Sequence, residues 1–305
     1  MMMPLLLPLA ARVGRLALRH RGVLVRRVPT DLGSLHVYDA RGPGDLPTTV
    51  LLHGLGSAAT PFGRLVEHLR SEVRRVVAPD YPGHGFSDEA GLQLTPEALF
   101  ASIGGALDAL VDEPAIVIGN SLGGAVAVQY ALEHPARVRA LVLVSPAGAP
   151  SSEEEWREIR RTFAVDSAAQ ADAFLRRLYH RPPWFLPLVA RELPAVLQRR
   201  AVRDLLDTVR RDHALSADSL RSLPMPVLLL WGQSDRLLPE GHFEYFARHL
   251  PGHAVIERPA GFGHCPHIDA PQALARRIVA FVREALPPRA RVDGGGLLSP
   301  VALTH

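Results

Sequence analysis

Ile116-Val117-Ile118-Gly119-Asn120-Ser121-Leu122-Gly123-Gly124 joins an apolar strand to a helix through one tight turn. Three β-branched residues run into G-x-S-x-G, and residues 125–133 continue as a helical stretch that stops near Pro135. A serine on such a turn is lifted clear of the strand. It also sits at a helix N-terminus, where main-chain N–H groups face developing negative charge. Glycines on either side, Gly119 and Gly123, are expected because side chains there would collide with the strand and the helix. Ser121 is therefore the candidate nucleophile.

Away from this turn, short apolar or β-branched runs alternate with longer helical stretches. That rhythm predicts a doubly wound, mostly parallel α/β sheet of about eight strands with helices on both faces. The expected strands are 23–28, 35–38, 50–53, 76–79, 115–119, 140–144, 227–231 and 254–258. Runs such as Leu141-Val142-Leu143-Val144 are apolar throughout, as in strands buried on both faces. Residues 146–223 break the rhythm and hold no convincing strand. They read as a helical insertion, a lid, interrupted by prolines in Arg181-Pro182-Pro183-Trp184-Phe185-Leu186-Pro187. The expected layout is an N-terminal arm at 1–29, a core made of 30–145 and 224–288, the lid at 146–223, and a flexible Gly/Pro-rich tail at 289–305.

An unactivated serine is a weak nucleophile and needs a base oriented by an acid. Asp235, in Gly232-Gln233-Ser234-Asp235-Arg236, follows the buried run 227–231. His264, in Gly261-Phe262-Gly263-His264-Cys265-Pro266-His267, follows the last expected strand. Both fall at the sheet edge where open α/β folds bind ligands, and the order Ser, Asp, His suits this type of turn. His267 has no further ligands clustered near it, so a metal is not expected; it reads as the first turn of the next helix. Asp269 reads the same way, placed where an acid favours the helix dipole. Asp80 precedes Ser121, breaks the order and reads as a turn residue. Cys265 reads as a packed spectator thiol. A second oxyanion donor beside the N–H of Leu122 is offered by His53-Gly54-Leu55-Gly56: Gly54 lets the backbone approach, Leu55 supplies the N–H, and His53 braces the loop.

Together with Asp80-Tyr81-Pro82-Gly83-His84-Gly85-Phe86-Ser87, these motifs resemble the α/β-hydrolase superfamily over residues 30–286. The resemblance implies a Ser121–His264–Asp235 triad, oxyanion amides at Leu55 and Leu122, a variable helical cap at 146–223, and no cofactor. Epoxide hydrolases and haloalkane dehalogenases carry aspartate where Ser121 stands. Carbon–carbon bond hydrolases of meta-cleavage products share G-N-S-x-G-G but typically carry tryptophan after the histidine, where this chain has Cys265. Cofactor-free haloperoxidases share the scaffold, and prolyl aminopeptidases usually show tryptophan where Leu122 stands. Hydrolysis of a small carboxylic ester with an apolar acyl group is the leading expectation, with some similarity to monoacylglycerol-lipase-like and bacterial lipase-like members. The carbon–carbon hydrolase and a non-catalytic ligand-binding protein on the same fold stay open as alternatives. Trp184, Phe185 and Leu188 are expected in the substrate pocket, against plain core packing.

The bulk composition agrees. With 305 residues, 47% of them hydrophobic and 21% charged, the chain can bury a large core. The net charge of +3 is dispersed, with no basic stripe interleaved with aromatics, so nucleic acid is not an expected partner. One cysteine excludes an intrachain disulfide and a thiolate metal cluster, which fits a reducing, cytoplasmic setting. The apolar run 1–11 is shorter than the roughly 20 residues of a bilayer span. Its arginines (Arg12, Arg15, Arg19) follow it rather than precede it, unlike a secretory signal. Residues 9–27 have two readings: a basic amphipathic helix in peripheral contact with a membrane, or, favoured, a helix or arm packed on the domain or a misassigned start.

Overall fold

Strands form where the sequence carries uninterrupted apolar and β-branched runs, and they join into one sheet. They are β1 (Leu24–Thr30), β2 (Gly33–Arg41), β3 (Thr49–Leu52), β4 (Arg75–Pro79), β5 (Ala115–Asn120), β6 (Val138–Val144), β7 (Val227–Leu230) and β8 (Val255–Glu257). The computed structural model describes residues 5–183 and 190–286. The sheet order is β1-β2-β4-β3-β5-β6-β7-β8. β2 runs antiparallel to both β1 and β4, and every other pairing is parallel. This is the mostly parallel, eight-stranded sheet expected from the sequence.

Period-two alternation divides the strand side chains between two cores. Val117, Leu141, Leu143, Val227 and Leu229 enter one, and Ile116, Ile118, Val142, Leu228 and Leu230 enter the other. Each such side chain contributes about 1.5–3 kcal/mol by leaving water. Both faces are covered by helices. In chain order these are α1 (Leu6–His20), α2 (Gly63–Arg70), α3 (Pro96–Leu110), α4 (Leu122–Glu133), α5 (Glu153–Phe163), α6 (Ala168–Leu178), α7 (Leu193–Leu197), α8 (Arg200–Thr208), α9 (Ala217–Arg221), α10 (Glu240–His249), α11 (Pro266–Asp269) and α12 (Pro271–Ala285). Local signals set their ends. Thr95 caps α3 by accepting the Ala98 N–H at 3.3 Å, with Pro96 in the first position. Ser152 and Glu155 form a reciprocal capping box at α5. Between β6 and β7 the described residues form helices and no strand, with a small apolar core of their own around Phe163, Phe174 and Leu175.

The N-terminal segment differs in part from expectation. Leu24↔Asp39 through Thr30↔Gly33 pair in register, so the boundary expected at residue 29 falls inside β1, and the end of the arm belongs to the sheet. Ahead of it, α1 packs on the domain through its buried Leu18. Its first N–H groups donate across the fold to the Glu192 carboxylate, at 2.7 Å from Leu5 and Leu6 and 2.6 Å from Leu7. None of the described helices is long and apolar enough to cross a membrane. The tail expected at 289–305 lies outside the described residues.

Candidate active site

Ser121 stands between the end of β5 and the start of α4, with φ 55° and ψ −121°. A non-glycine residue at positive φ costs roughly 1–3 kcal/mol and persists only when its surroundings over-determine it. They do so here. The Ser121 N–H donates to the Val144 carbonyl at 3.1 Å, and the Ser121 carbonyl accepts from Gly124 at 2.8 Å and Ala147 at 2.9 Å. Close approach explains the flanking glycines. A Cβ on Gly119 would lie 2.1 Å from the Gly123 oxygen, and one on Gly123 would lie 2.1 Å from the Leu52 oxygen. The first N–H groups of α4, beginning at Leu122, have no acceptor within their own helix and lie next to the serine.

The loops after β7 and β8 bring Asp235 and His264 together. His264 Nδ1 lies 2.8 Å from Asp235 Oδ2, with both side chains buried. Asp235 Oδ1 accepts the Leu237 N–H at 2.9 Å. Burial pushes the Asp235 carboxyl up, but the His264 ring and its hydrogen bond, with the Leu237 N–H, outweigh burial and hold it below the ordinary carboxylate range. With Nδ1 committed to Asp235, Nε2 is the nitrogen left to exchange a proton.

The loop after β3 closes the other side. A Cβ on Gly54 would lie 3.2 Å from Ser121 Cβ and 3.7 Å from its Oγ, so this loop passes directly beside the hydroxyl. His53 braces the loop. Its Nδ1 lies 2.9 Å from the Gly54 carbonyl, its Nε2 accepts the Tyr81 N–H at 3.1 Å, and its ring stacks on Tyr81. Burial keeps it neutral by lowering its pKa. Asp80 does more than occupy a turn. Fully buried, it accepts the N–H groups of Ala59 at 2.6 Å and Phe86 at 2.9 Å, tying two loops together.

Two positions carry more than their sequence context signalled. Asn120 donates its side-chain amide to the carbonyls of Val144 at 3.0 Å and His264 at 2.9 Å. The only cue is an amide beside the serine at the end of an apolar strand. Asp269 falls in the first turn of α11, as expected, and does more than favour its dipole. Its carboxylate accepts the N–H groups of Gly263 at 2.9 Å and His180 at 3.0 Å, joining the His264 loop to the helical segment. Cys265 packs against that segment's core, and burial raises its thiol pKa, keeping it protonated.

Gly54, Leu55, Ser121 and His264 line a cavity of about 680 Å³. Its walls are mainly apolar: Phe163, Phe174, Leu175, Leu197 and Val202 from the helical segment, and Leu7, Pro8, Ala10 and Ala11 from α1, with the charged Arg12 beside them. A second cavity of about 420 Å³ shares Leu55, Ser121, Phe163 and Leu237 with the first, and is lined further by Leu122, Trp156, Ile159 and Leu205. Trp184, Phe185 and Leu188 lie outside the described residues. Among the described residues, no group of His, Cys, Asp and Glu is arranged to hold a metal ion.

The comparisons with known proteins agree with this geometry. A family model described as alpha/beta hydrolase fold matches residues 47–271. The chain is 30% identical over 257 residues to a pimeloyl-[acyl-carrier protein] methyl ester esterase of Neisseria meningitidis, covering 79% of this chain and 96% of that protein. It is 32% identical over 210 residues to a 2-hydroxymuconate semialdehyde hydrolase of a Pseudomonas species, covering 62% of this chain and 71% of that one. The fold matches the carboxylesterase CesB of Bacillus subtilis with a TM-score of 0.75 at 23% identity, covering 91% of this chain and 97% of that one. On the family match and the sheet that carries Ser121, Asp235 and His264, this chain belongs to the α/β-hydrolase fold family.

Proposed function

We propose that the chain is a serine hydrolase of carboxylic esters with an apolar acyl group. The observation that carries this reading is the buried His264–Asp235 pair at 2.8 Å, in the same cavity as a serine held at positive φ on the head of α4. His264 Nε2 takes the Ser121 proton as Oγ attacks the ester carbonyl. Asp235 fixes the ring and stabilises its charged form. The N–H groups of Leu55 and Leu122 hold the oxyanion, each worth about 3 kcal/mol. His264 returns the proton to the departing alcohol, then draws one from the water that releases the acid. Residues 146–223 serve as the cap, and the two apolar cavities meeting at Ser121 take the substrate groups on either side of the carbonyl. The similarity to a methyl ester esterase supports the ester reading. The test is a fluorophosphonate probe: it should label the parent chain and not Ser121→Ala, and labelling that persists in the variant sinks the assignment.

A second reading is carbon–carbon bond hydrolysis. It is favoured by the elbow Gly119-Asn120-Ser121-Leu122-Gly123-Gly124 and by the similarity to a 2-hydroxymuconate semialdehyde hydrolase. Turnover of p-nitrophenyl esters and monoacylglycerols, set against a vinylogous diketone acid, separates the two. Activity on the diketone acid alone would select the second.

A further inference from the structure

Large apolar side chains that remain exposed gather on one helix. Leu5, Leu6, Leu9, Val13 and Leu16 are 47–68% exposed, and the spacing 6, 9, 13, 16 places them along one face of α1. The opposite face turns inward: Leu18 is buried, while Leu7 and Ala11 line the Ser121 cavity. Glu192 holds the start of the helix in this position through three N–H groups. An apolar stripe of this kind marks a surface that something else covers.

Charge decides what covers it. Residues 1–30 contain six arginines, one histidine and no acidic residue; Arg21, Arg26 and Arg27 pair with Glu67, Asp39 and Asp88. Arg12 and Arg19 are exposed and, among the described residues, form no ion pair. A second copy laid on the stripe would set these arginines against their own kind. A bilayer carrying anionic lipid takes the leucines into its acyl boundary and the arginines among its phosphates. Met1-Met2-Met3-Pro4, outside the described residues, lengthens the apolar run.

We propose that α1 is a membrane-docking helix: its outer stripe seats in the surface of an anionic bilayer and brings the Ser121 cavity, walled by its inner face, to the lipid. That the docked protein draws its ester from the bilayer rests on the serine-hydrolase reading above; the docking itself does not.

Flotation of the full chain with vesicles tests this. The parent chain should rise with vesicles of phosphatidylcholine and phosphatidylglycerol, and bind phosphatidylcholine alone at least about tenfold more weakly. The triple variant Leu9→Glu, Val13→Glu, Leu16→Glu should stay at the bottom while hydrolysing a water-soluble p-nitrophenyl ester at the parent rate. Arg19→Glu should weaken the preference for the anionic vesicles. A parent chain that does not float, or a triple variant that floats as the parent does, overturns the proposal. So does a parent dimer that the triple variant dissolves without either chain floating, since a second copy would then be the occupant. Flotation without fluorophosphonate labelling would leave docking standing and remove the hydrolase reading; labelling without flotation would do the reverse.

Discussion

The side-chain amide of Asn120 donates to the main-chain carbonyl of His264 across 2.9 Å, so the residue preceding the elbow serine holds the backbone of the proposed base. The same amide donates to the Val144 carbonyl, tying the ends of β5 and β6 to the loop after β8. Asn120→Ala should leave KM within a few-fold and lower kcat by about 10- to 100-fold, because a small misplacement of a reacting group is costly. Steady-state kinetics on a p-nitrophenyl ester checks this. A parent-like kcat would mean that the His264 loop holds its place without the amide.

Asp235→Asn keeps the shape of the acid but favours the wrong ring tautomer of His264. A fall in kcat of about 10⁴-fold is expected, from the loss seen in triads of this kind. The carboxyl of Asp235 is held below its ordinary range, so its contribution to stability is present above about pH 4 and lost as the pH falls below that. The Tm difference between parent and Asp235→Asn should therefore shrink on acidification below pH ~4. A constant difference would contradict the pairing.

His84 and His267 respond over a different range. Burial pushes both down to about 3, so both stay neutral in the fold while the unfolded chain takes up protons below about 6.5. Stability should fall as the pH drops from about 6.5 towards 3. His267→Phe should flatten that slope by up to about 1.4 kcal/mol per pH unit. Denaturant titrations of both chains between these limits give the slopes, and equal slopes would show that His267 does not titrate in this way.

How much of this could be read from the sequence depends on the range of the contact. β5, β6 and β7 are buried on both faces, so their apolar runs name them directly, and the elbow is a local pattern of glycine and serine. The Asp235 loop is legible because it follows such a strand, and the His264 loop because it follows the last, shorter strand, β8, which is only partly buried. Asn120 and Asp269 are not, because their meaning lies in carbonyl and N–H partners far away in the chain. α1 shows the same limit. Its amphipathic pattern fits both a packed arm, the favoured reading, and a membrane-facing helix, and the carboxylate that anchors its start, Glu192, lies far along the chain.

Gly123→Ala tests the close packing of the elbow. The new methyl would meet the main-chain oxygen of Leu52 at 2.1 Å, with no flexible side chain to yield. A loss of about 3 kcal/mol is expected, together with loss of probe labelling at Ser121. A melt and a labelling gel read both, and a stable, labelled variant would show that the two segments can part without harm.

Glu192→Gln should loosen α1 without unfolding the sheet. Burial, the largest single influence, raises the carboxyl, but the N–H groups of Leu6, Leu7 and Leu5 together outweigh it and hold it below its ordinary range. Hydrogen exchange at residues 5–9 should quicken in the variant, and in the parent as the pH falls through the carboxylate range, while β5 to β7 keep their protection. Unchanged exchange would mean that Leu18 and the stacking of Arg15 on Phe86 hold the helix without the carboxylate.

Because α1 supplies Leu7, Pro8, Ala10, Ala11 and Arg12 to the cavity wall, the first helix is part of the chamber that holds Ser121. Trimming the chain to Val23, or fusing a bulky tag ahead of Leu5, would leave Ser121, His264 and Asp235 in place but unroof one side of their chamber. On the proposed ester reading, such a version would keep small esters and lose discrimination among larger ones, so its substrate profile would describe the trimming rather than the protein.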